Sequence, residues 1–152
     1  MDVIEVEGSA QLVFGGGSDD LIDASIGSEG GNWIYGGSGD DTFILGEDDH
    51  YSGGAGDDKF FAMSGGDNII HGGAGADQFW IATAELPDGI NIIKDFTSGE
   101  DVLGIAGLGI GFEDVSITQQ GDNALIAASG TDLAILTDVA ADSLSGDNFA
   151  FG

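Results

Sequence analysis

The chain has 152 residues, of which 28 are acidic and two basic, giving a formal net charge of -26 at pH 7. With Lys59 and Lys94 as its only fixed cations, it cannot neutralise a phosphate backbone, which excludes nucleic acid as a partner and disfavours polyanionic glycans. The lack of cysteine excludes disulfide staples and thiolate chemistry, so any bound metal must be a hard, oxygen-seeking ion, while 41% apolar residues are too many for a disordered acidic tail.

Self-repulsion of this size opposes a compact state unless cations neutralise it. At the start of the chain, Met1 to Ala10 has neither a basic beginning nor a long apolar run, and nowhere do 18 apolar residues follow one another. A classical signal peptide and a membrane span are therefore not expected.

From there the sequence is organised by a repeat. Val6 to Phe14 carries only its strand half, and Gly15 to Asp23 (GGGSDDLID) is the first full unit, with Ser18 where a fourth Gly would stand. A weaker unit follows at Gly27 to Tyr35, then GGSGDDTFI at Gly36 to Ile44, and a shortened one at Gly46 to Ser52. GGAGDDKFF at Gly53 to Phe61, a weak unit at Met63 to His71 and GGAGADQFW at Gly72 to Trp80 complete the series. The strong units read Gly-Gly-x-Gly-x-Asp-x-U-x, with U large and apolar, and they alternate with the weak ones. Glycine permits the positive φ of a tight turn, and the last three positions suit a short strand.

Beyond Ile81 the frame stops and ordinary strand patterns appear at Ile90 to Phe96, Val102 to Ile105, Val115 to Gln119, Ala124 to Ala128 and Leu133 to Leu136. Gly121-Asp122-Asn123 and Ser129-Gly130 mark turns between the last three. The division expected is an N-terminal strand or cap over 1–14, a repeat region over 15–80 and a β cap over 81–152, because a stack of repeats needs its ends covered.

The nonapeptide resembles the calcium-binding repeat of RTX, or hemolysin-type, proteins. IKDFTSGEDVL at Ile93 to Leu103 and DSLSGDNFAF at Asp142 to Phe151 are similar to the closing segments of RTX modules in serralysin-type metalloproteases and related type I-secreted bacterial exoproteins. The resemblance implies an all-β fold: a right-handed parallel β-roll closed by a C-terminal antiparallel β cap. Each unit then makes half a turn, so that Asp20, Asp41, Asp58 and Asp77 form one column and Asn32, Asp49 and Asn68 the opposite one. Inside, Ile22, Phe43, Phe60 and Phe79 face Val13, Ile34, Tyr51 and Ile70 as a thin laddered core.

The resemblance further implies calcium ligands at the first, third, fifth and sixth repeat positions. These are Gly15, Gly17, Asp19 and Asp20; Gly36, Ser38, Asp40 and Asp41; Gly53, Ala55, Asp57 and Asp58; and Gly72, Ala74 and Asp77. About three strong ions are expected in the first column. In the second, Asn keeps an oxygen but loses the charge, leaving poorer sites at Asn32, Asp49 and Asn68. Asp101, with Asp95 or Glu100, would hold a capping ion. The last residues would act as an uncleaved secretion signal, although Gly152 departs from the hydrophobic ending of the serralysins. By this reading the chain is secreted or displayed on a bacterial cell surface, with calcium, the type I secretion machinery and other domains of a larger exoprotein as partners. It folds on meeting extracellular calcium, since so thin a core cannot outweigh chain entropy and repulsion by itself.

Other readings are weaker. Asp40 and Asp41 are adjacent, recur between repeats and have no cleft of their own, unlike a glycosidase pair. Neither HExxH, GxSxG nor a phosphate-binding loop occurs, so no enzyme is expected. His50 and His71 fall in weak repeats and lack a third zinc ligand. Ile44, Phe61 and Trp80 should form an outward apolar stripe that the C-terminal strands cover. Trp33 and Tyr35 are the candidates for contacting a ligand if the roll serves instead as a calcium-rigidified adhesin, surface-layer or glycan-binding module.

Overall fold

The computed structural model describes residues 1–63 and 65–152, so the weak unit from Met63 to His71 is seen except for Ser64, which lies outside the described residues. In chain order the strands are β1 (Val3–Glu5), β2 (Gly8–Ser9), β3 (Leu12–Gly17), β4 (Leu21–Asp23), β5 (Ser28–Gly30), β6 (Trp33–Ser38), β7 (Thr42–Leu45), β8 (His50–Ala55) and β9 (Lys59–Ala62). They continue as β10 (Ile69–Ala74), β11 (Gln78–Thr83), β12 (Asn91–Ile93), β13 (Val102–Ala106), β14 (Val115–Gln120), β15 (Asn123–Ala128), β16 (Thr131–Leu136) and β17 (Phe149–Phe151). Among the described residues helix is limited to three short 3-10 turns, and none is long and apolar enough to cross a membrane.

Successive repeats alternate between two facing sheets, as a β-roll requires. One sheet has seven strands in the order β1-β4-β7-β9-β11-β13-β17; the other has eight, ordered β14-β15-β16-β12-β10-β8-β6-β3. All pairs in the first sheet are parallel. In the second, β3 to β12 and β16 are parallel, and only β14-β15 and β15-β16 run antiparallel.

The two kinds of repeat make different turns. Strands β3, β6, β8 and β10 each run six residues, because the end of a weak unit continues in extended form into the first three positions of the strong unit that follows. The strong glycine turns thus stack along one edge of the roll and the weak ones along the other. At the fourth position of the strong unit the chain requires positive φ: Gly39, Gly56 and Gly75 adopt +122, +135 and +139°. Ser18, at the same position of the first unit, is held at 84°, a conformation that costs a side-chain-bearing residue energy.

Alternation along the strands places the eighth repeat position inside. In the first sheet Ile4, Ile22, Phe43, Phe60, Phe79, Leu103 and Phe149 are register partners in sequence. Opposite them stand Val13, Ile34, Tyr51, Ile70, Ile93, Leu136 and Ala124. Phe43, Phe60 and Phe79 stack with centroids 4.7 and 5.2 Å apart and planes within 8°. All the expected inward residues are buried except Val13, which is partly buried because β3 is the last strand of its sheet.

The expected antiparallel cap is present in part, as the meander β14-β15-β16, but it continues the second sheet instead of standing apart. Parallel stacking outlasts the glycine frame: β12 and β13 pair with the last repeat strands, and β16 and β17 pair with those in turn. The outward stripe differs too. β13 and β17 extend the first sheet at its edge instead of lying across Ile44, Phe61 and Trp80, which stay half-buried. Phe61 and Trp80 stack at 6.1 Å, and the Trp80 indole covers Gly104, where any Cβ would collide with the ring.

Candidate metal centre

The strong turns present a column of buried carboxylates. Asp20, Asp41, Asp58 and Asp77 are at most 2% exposed, each immediately before a strand of the first sheet. Their Oδ1 atoms form a ladder with the backbone. The Asp20 N–H donates to Asp41 Oδ1 (2.8 Å), Asp41 N–H to Asp58 Oδ1 (2.8 Å) and Asp58 N–H to Asp77 Oδ1 (2.9 Å). Asp101 is the next rung, accepting the Asp77 N–H at 2.9 Å through Oδ1 and the Thr97 N–H at 2.7 Å through Oδ2.

The second oxygens behave differently. Oδ2 of Asp20, Asp41 and Asp58 is buried and accepts no hydrogen bond, an arrangement that costs free energy unless a cation or donor arrives. Each faces the first glycine of its own repeat. A Cβ at Gly36 would strike Asp41 Oδ2 and come within 2.7 Å of the Gly53 carbonyl oxygen; one at Gly53 would strike Asp58 Oδ2 and come within 2.5 Å of the Gly72 carbonyl. The same pairing recurs at Gly15, where Asp20 Oδ2 and the Gly36 carbonyl lie 3.0 and 2.7 Å from the added atom. Carboxylate and carbonyl oxygens of neighbouring rungs therefore converge, and glycine leaves the room for them. Such oxygen-only donors suit a hard divalent cation.

Around this line the other expected residues take distinct places. The fifth-position acids are exposed and stack as a second ladder: Asp40 N–H to Asp19 Oδ1 (2.9 Å), Asp57 N–H to Asp40 Oδ1 (2.8 Å) and Ala76 N–H to Asp57 Oδ1 (2.8 Å). The third-position residues Gly17, Ser38, Ala55 and Ala74 are in register, and the carbonyls of Ala55 and Ala74 accept from Gly39 and Gly56. Asp95 caps the last strong turn through the N–H groups of Gly72 (2.8 Å) and Gly73 (2.9 Å), whereas Glu100 is exposed.

Stacked anions in a dry turn resist ionisation. Burial, reinforced by neighbouring carboxylates and opposed by the backbone N–H ladder, pushes Asp58 up to about 7 and Asp77 to about 6. Asp41 and Asp101 are raised for the same leading reason.

On the opposite edge, Asn32, Asp49, Asn68 and Asn91 form a matching buried column. Oδ1 again accepts from the preceding rung, at 2.9 Å from Gln11 to Asn32, Asn32 to Asp49 and Asp49 to Asn68, and at 3.2 Å from Asn68 to Asn91. Here, however, the protein supplies the donors. Asn32 Nδ2 reaches Asp49 Oδ1 and Ser28 Oγ (both 2.9 Å), and Asn68 Nδ2 reaches the Gly46 carbonyl (2.9 Å) and Asn91 Oδ1 (3.0 Å). Asp49 Oδ2 receives the hydroxyls of Tyr51 and Ser28 at 3.2 Å each. Its second oxygen is thus satisfied, unlike those of Asp41 and Asp58.

Sequence reasoning missed Asn91 as a rung of this column. Its signal was faint: Asn91-Ile92-Ile93 repeats the polar residue followed by strand of Asn68-Ile69-Ile70, and Gly89 stands where Gly66 does, but the other glycines of the frame are missing. Trp33 and Tyr35 lie on the outer face of the second sheet, away from the carboxylates, and stack on His50 (4.2 Å) and Phe14 (5.2 Å) respectively, so they are not a stacked pair. Among the described residues no three His, Cys, Asp or Glu side chains gather as a metal-binding group; the column offers carboxylates rung by rung, completed by backbone oxygens.

The model of the RTX calcium-binding nonapeptide repeat matches residues 26–60 and 64–80, in four copies. No curated protein sequence matches the chain. Among solved structures, the extracellular lipase LipA of Serratia marcescens aligns with 99% of this chain at 15% identity and a TM-score of 0.46; the chain spans only 40% of the lipase's length. The AlgE6R3 and AlgE6R2 subunits of the Azotobacter vinelandii mannuronan C5-epimerase align at 24% identity each. They cover 90% and 97% of this chain and 79% and 91% of their own, with TM-scores of 0.45 and 0.42. Residues 26–60 and 64–80 are thus RTX calcium-binding nonapeptide repeats.

Proposed function

We propose that the chain is a calcium-driven folding module in which the ions line the strong edge alone. The observation that carries this reading is the contrast between edges: Oδ2 of Asp20, Asp41 and Asp58 is buried without a donor, whereas Asp49 Oδ2 is satisfied by hydroxyls. About three ions would lie between rungs of the Asp20, Asp41, Asp58 and Asp77 column. Their ligands are the sixth-position carboxylates, the carbonyls of Gly15, Gly36, Gly53 and Gly72 and of Gly17, Ser38, Ala55 and Ala74, and the outer acids Asp19, Asp40 and Asp57. Calcium supplies the positive charge that the sequence lacks. Asp101, already bonded through both oxygens, closes the column.

Extracellular calcium modules bind at about 10⁻⁴ to 10⁻³ M, so such a chain stays unfolded in a low-calcium cytosol and folds outside. This supports a role in type I export and in stabilising an exoprotein to which the module is joined. The test is a calcium titration of metal-free protein by far-UV circular dichroism, with magnesium as control and calorimetry for stoichiometry. A calcium-specific rise of β signal with about three ions bound is expected; a spectrum already folded in chelator and unmoved by calcium overturns the proposal.

A further inference from the structure

On the outer face of the second sheet, Trp33 and Tyr35 of β6, His50 and Ser52 of β8, and Ile69 and His71 of β10 surround a groove of about 340 Å³. The register lays them out in two rows across the strands: Trp33, His50 and Ile69 in one, Tyr35, Ser52 and His71 in the other. The first row is filled, with the Trp33 and His50 rings stacked at 4.2 Å and 12°. In the second row Ser52 is a small side chain between two rings. Tyr35 leans on Phe14 on its far side, at 5.2 Å and 15°, which leaves its other face turned toward the gap over Ser52.

The width of that gap selects an occupant. Neighbouring strands lie about 4.8 Å apart, so Tyr35 and His71, two strands apart, stand about 9.6 Å from each other. A flat aromatic ring touching both walls needs about 7 Å, two carbon contacts of about 3.5 Å. The gap is wider than that by the thickness that a puckered sugar ring with its axial substituents adds. Charge narrows the choice further. The lining is uncharged, in a chain of net charge -26; an anion is repelled by the whole molecule, and a cation meets no carboxylate in the groove. Two hydroxyls and two imidazoles supply the hydrogen bonds that sugar hydroxyls take, and the ring faces supply the apolar contact.

The geometry points to a site for a neutral saccharide, one ring held between Tyr35 and His71 over Ser52. It lies on the sheet face and not on the calcium edge, and it rests on the roll being folded, not on which residues hold the ions.

The full chain, folded in calcium, is titrated calorimetrically with three neutral oligosaccharides of different linkage: maltohexaose, cellohexaose and mannohexaose. At least one should bind the parent. Tyr35→Ala and His71→Ala should each weaken it about tenfold, the worth of one ring contact, and Ser52→Phe, which fills the gap, should abolish it. The calcium-dependent circular dichroism of each variant is recorded alongside and should match the parent, so that loss of binding is not loss of fold. If none of the three binds the parent, or if Ser52→Phe binds as the parent does, the site is refuted. A failure of the calcium reading would show instead as a circular dichroism signal that ignores calcium.

Discussion

Protons should partly replace calcium, and Asp58 shows by how much. Its carboxyl is fully buried between Asp41 and Asp77 and titrates at about 7 in the folded chain against 3.8 for an ordinary aspartate. Because the folded state holds the proton more tightly than the unfolded one, ionisation opposes folding. The penalty is absent below pH about 4, grows as pH rises between about 4 and 7, and is complete above that. At 1.36 kcal/mol per pH unit the shift corresponds to about 4 kcal/mol at most, and solvent screening at the turn reduces this to roughly 2 kcal/mol. Metal-free protein should therefore gain β signal when acidified from pH 8 to pH 5, a range kept above the isoelectric point of about 4.1. Asp58→Asn keeps the Oδ1 acceptor for the Asp41 N–H and removes the charge, so its metal-free form should gain the same signal at higher pH. In calcium the order reverses: the variant loses a ligand charge shared by two ions, and its calcium midpoint should rise at least about tenfold. Circular dichroism against pH in chelator, and against calcium at pH 8, reads both. Metal-free spectra that do not change over this pH range, or an Asn variant with an unshifted calcium midpoint, would refute the reasoning.

Gly53→Ala puts a methyl group against Asp58 Oδ2 and the Gly72 carbonyl, and it should raise the calcium midpoint for folding more than Gly17→Ala, which meets only Ser38 Oγ at 3.5 Å; neither position has positive φ. Ser18→Gly should stabilise the calcium-loaded form by about 1 kcal/mol by relieving φ of 84°, seen as a higher thermal midpoint. Asn68→Asp removes the amide bonds to Gly46 and Asn91 and adds a charge to that edge; it should destabilise the metal-free chain and increase calorimetric calcium stoichiometry. Phe60→Ala empties the centre of the phenylalanine stack and should cost about 3 to 5 kcal/mol, measured by denaturant unfolding in saturating calcium.

The roll was legible because its turn chemistry is periodic. Four glycine turns recur with an aspartate at the sixth position and an apolar residue at the eighth, and the same spacing places Phe43, Phe60 and Phe79 in one stack. What the sequence obscured is where the turn chemistry stops but the stacking does not. Asn91 and Asp101 occupy rungs of the two columns and keep only the fourth-position glycine of the frame, Gly89 and Gly99, without the leading glycines, so Asp101 was legible only through the resemblance and Asn91 was missed. The covering of the outer stripe was misjudged for a related reason. Strands that read as a meander were expected to lie over Trp80, whereas an apolar strand also satisfies its backbone by pairing at the sheet edge, as β13 does, and Gly104 then lets the indole lie flat upon it.

The two edges make opposite use of one backbone ladder. In both, a side-chain Oδ1 takes the N–H of the preceding rung, which fixes the spacing of turns whatever the residue. What varies is the occupant beside it. An asparagine brings its own donor, so Asn32 and Asn68 tie their rungs to Asp49, Gly46 and Asn91 without help. An aspartate brings a second acceptor, so Asp20, Asp41 and Asp58 each add a buried oxygen that nothing among the described residues satisfies. An edge built wholly of asparagine would hold the roll shut at all times, and one built wholly of aspartate would leave no rung independent of ions. With one of each, the amide edge keeps the register of the strands while the carboxylate edge makes closure depend on cations, and Asp101, satisfied by Asp77 and Thr97, supplies a fixed final rung against which the carboxylate column can stack.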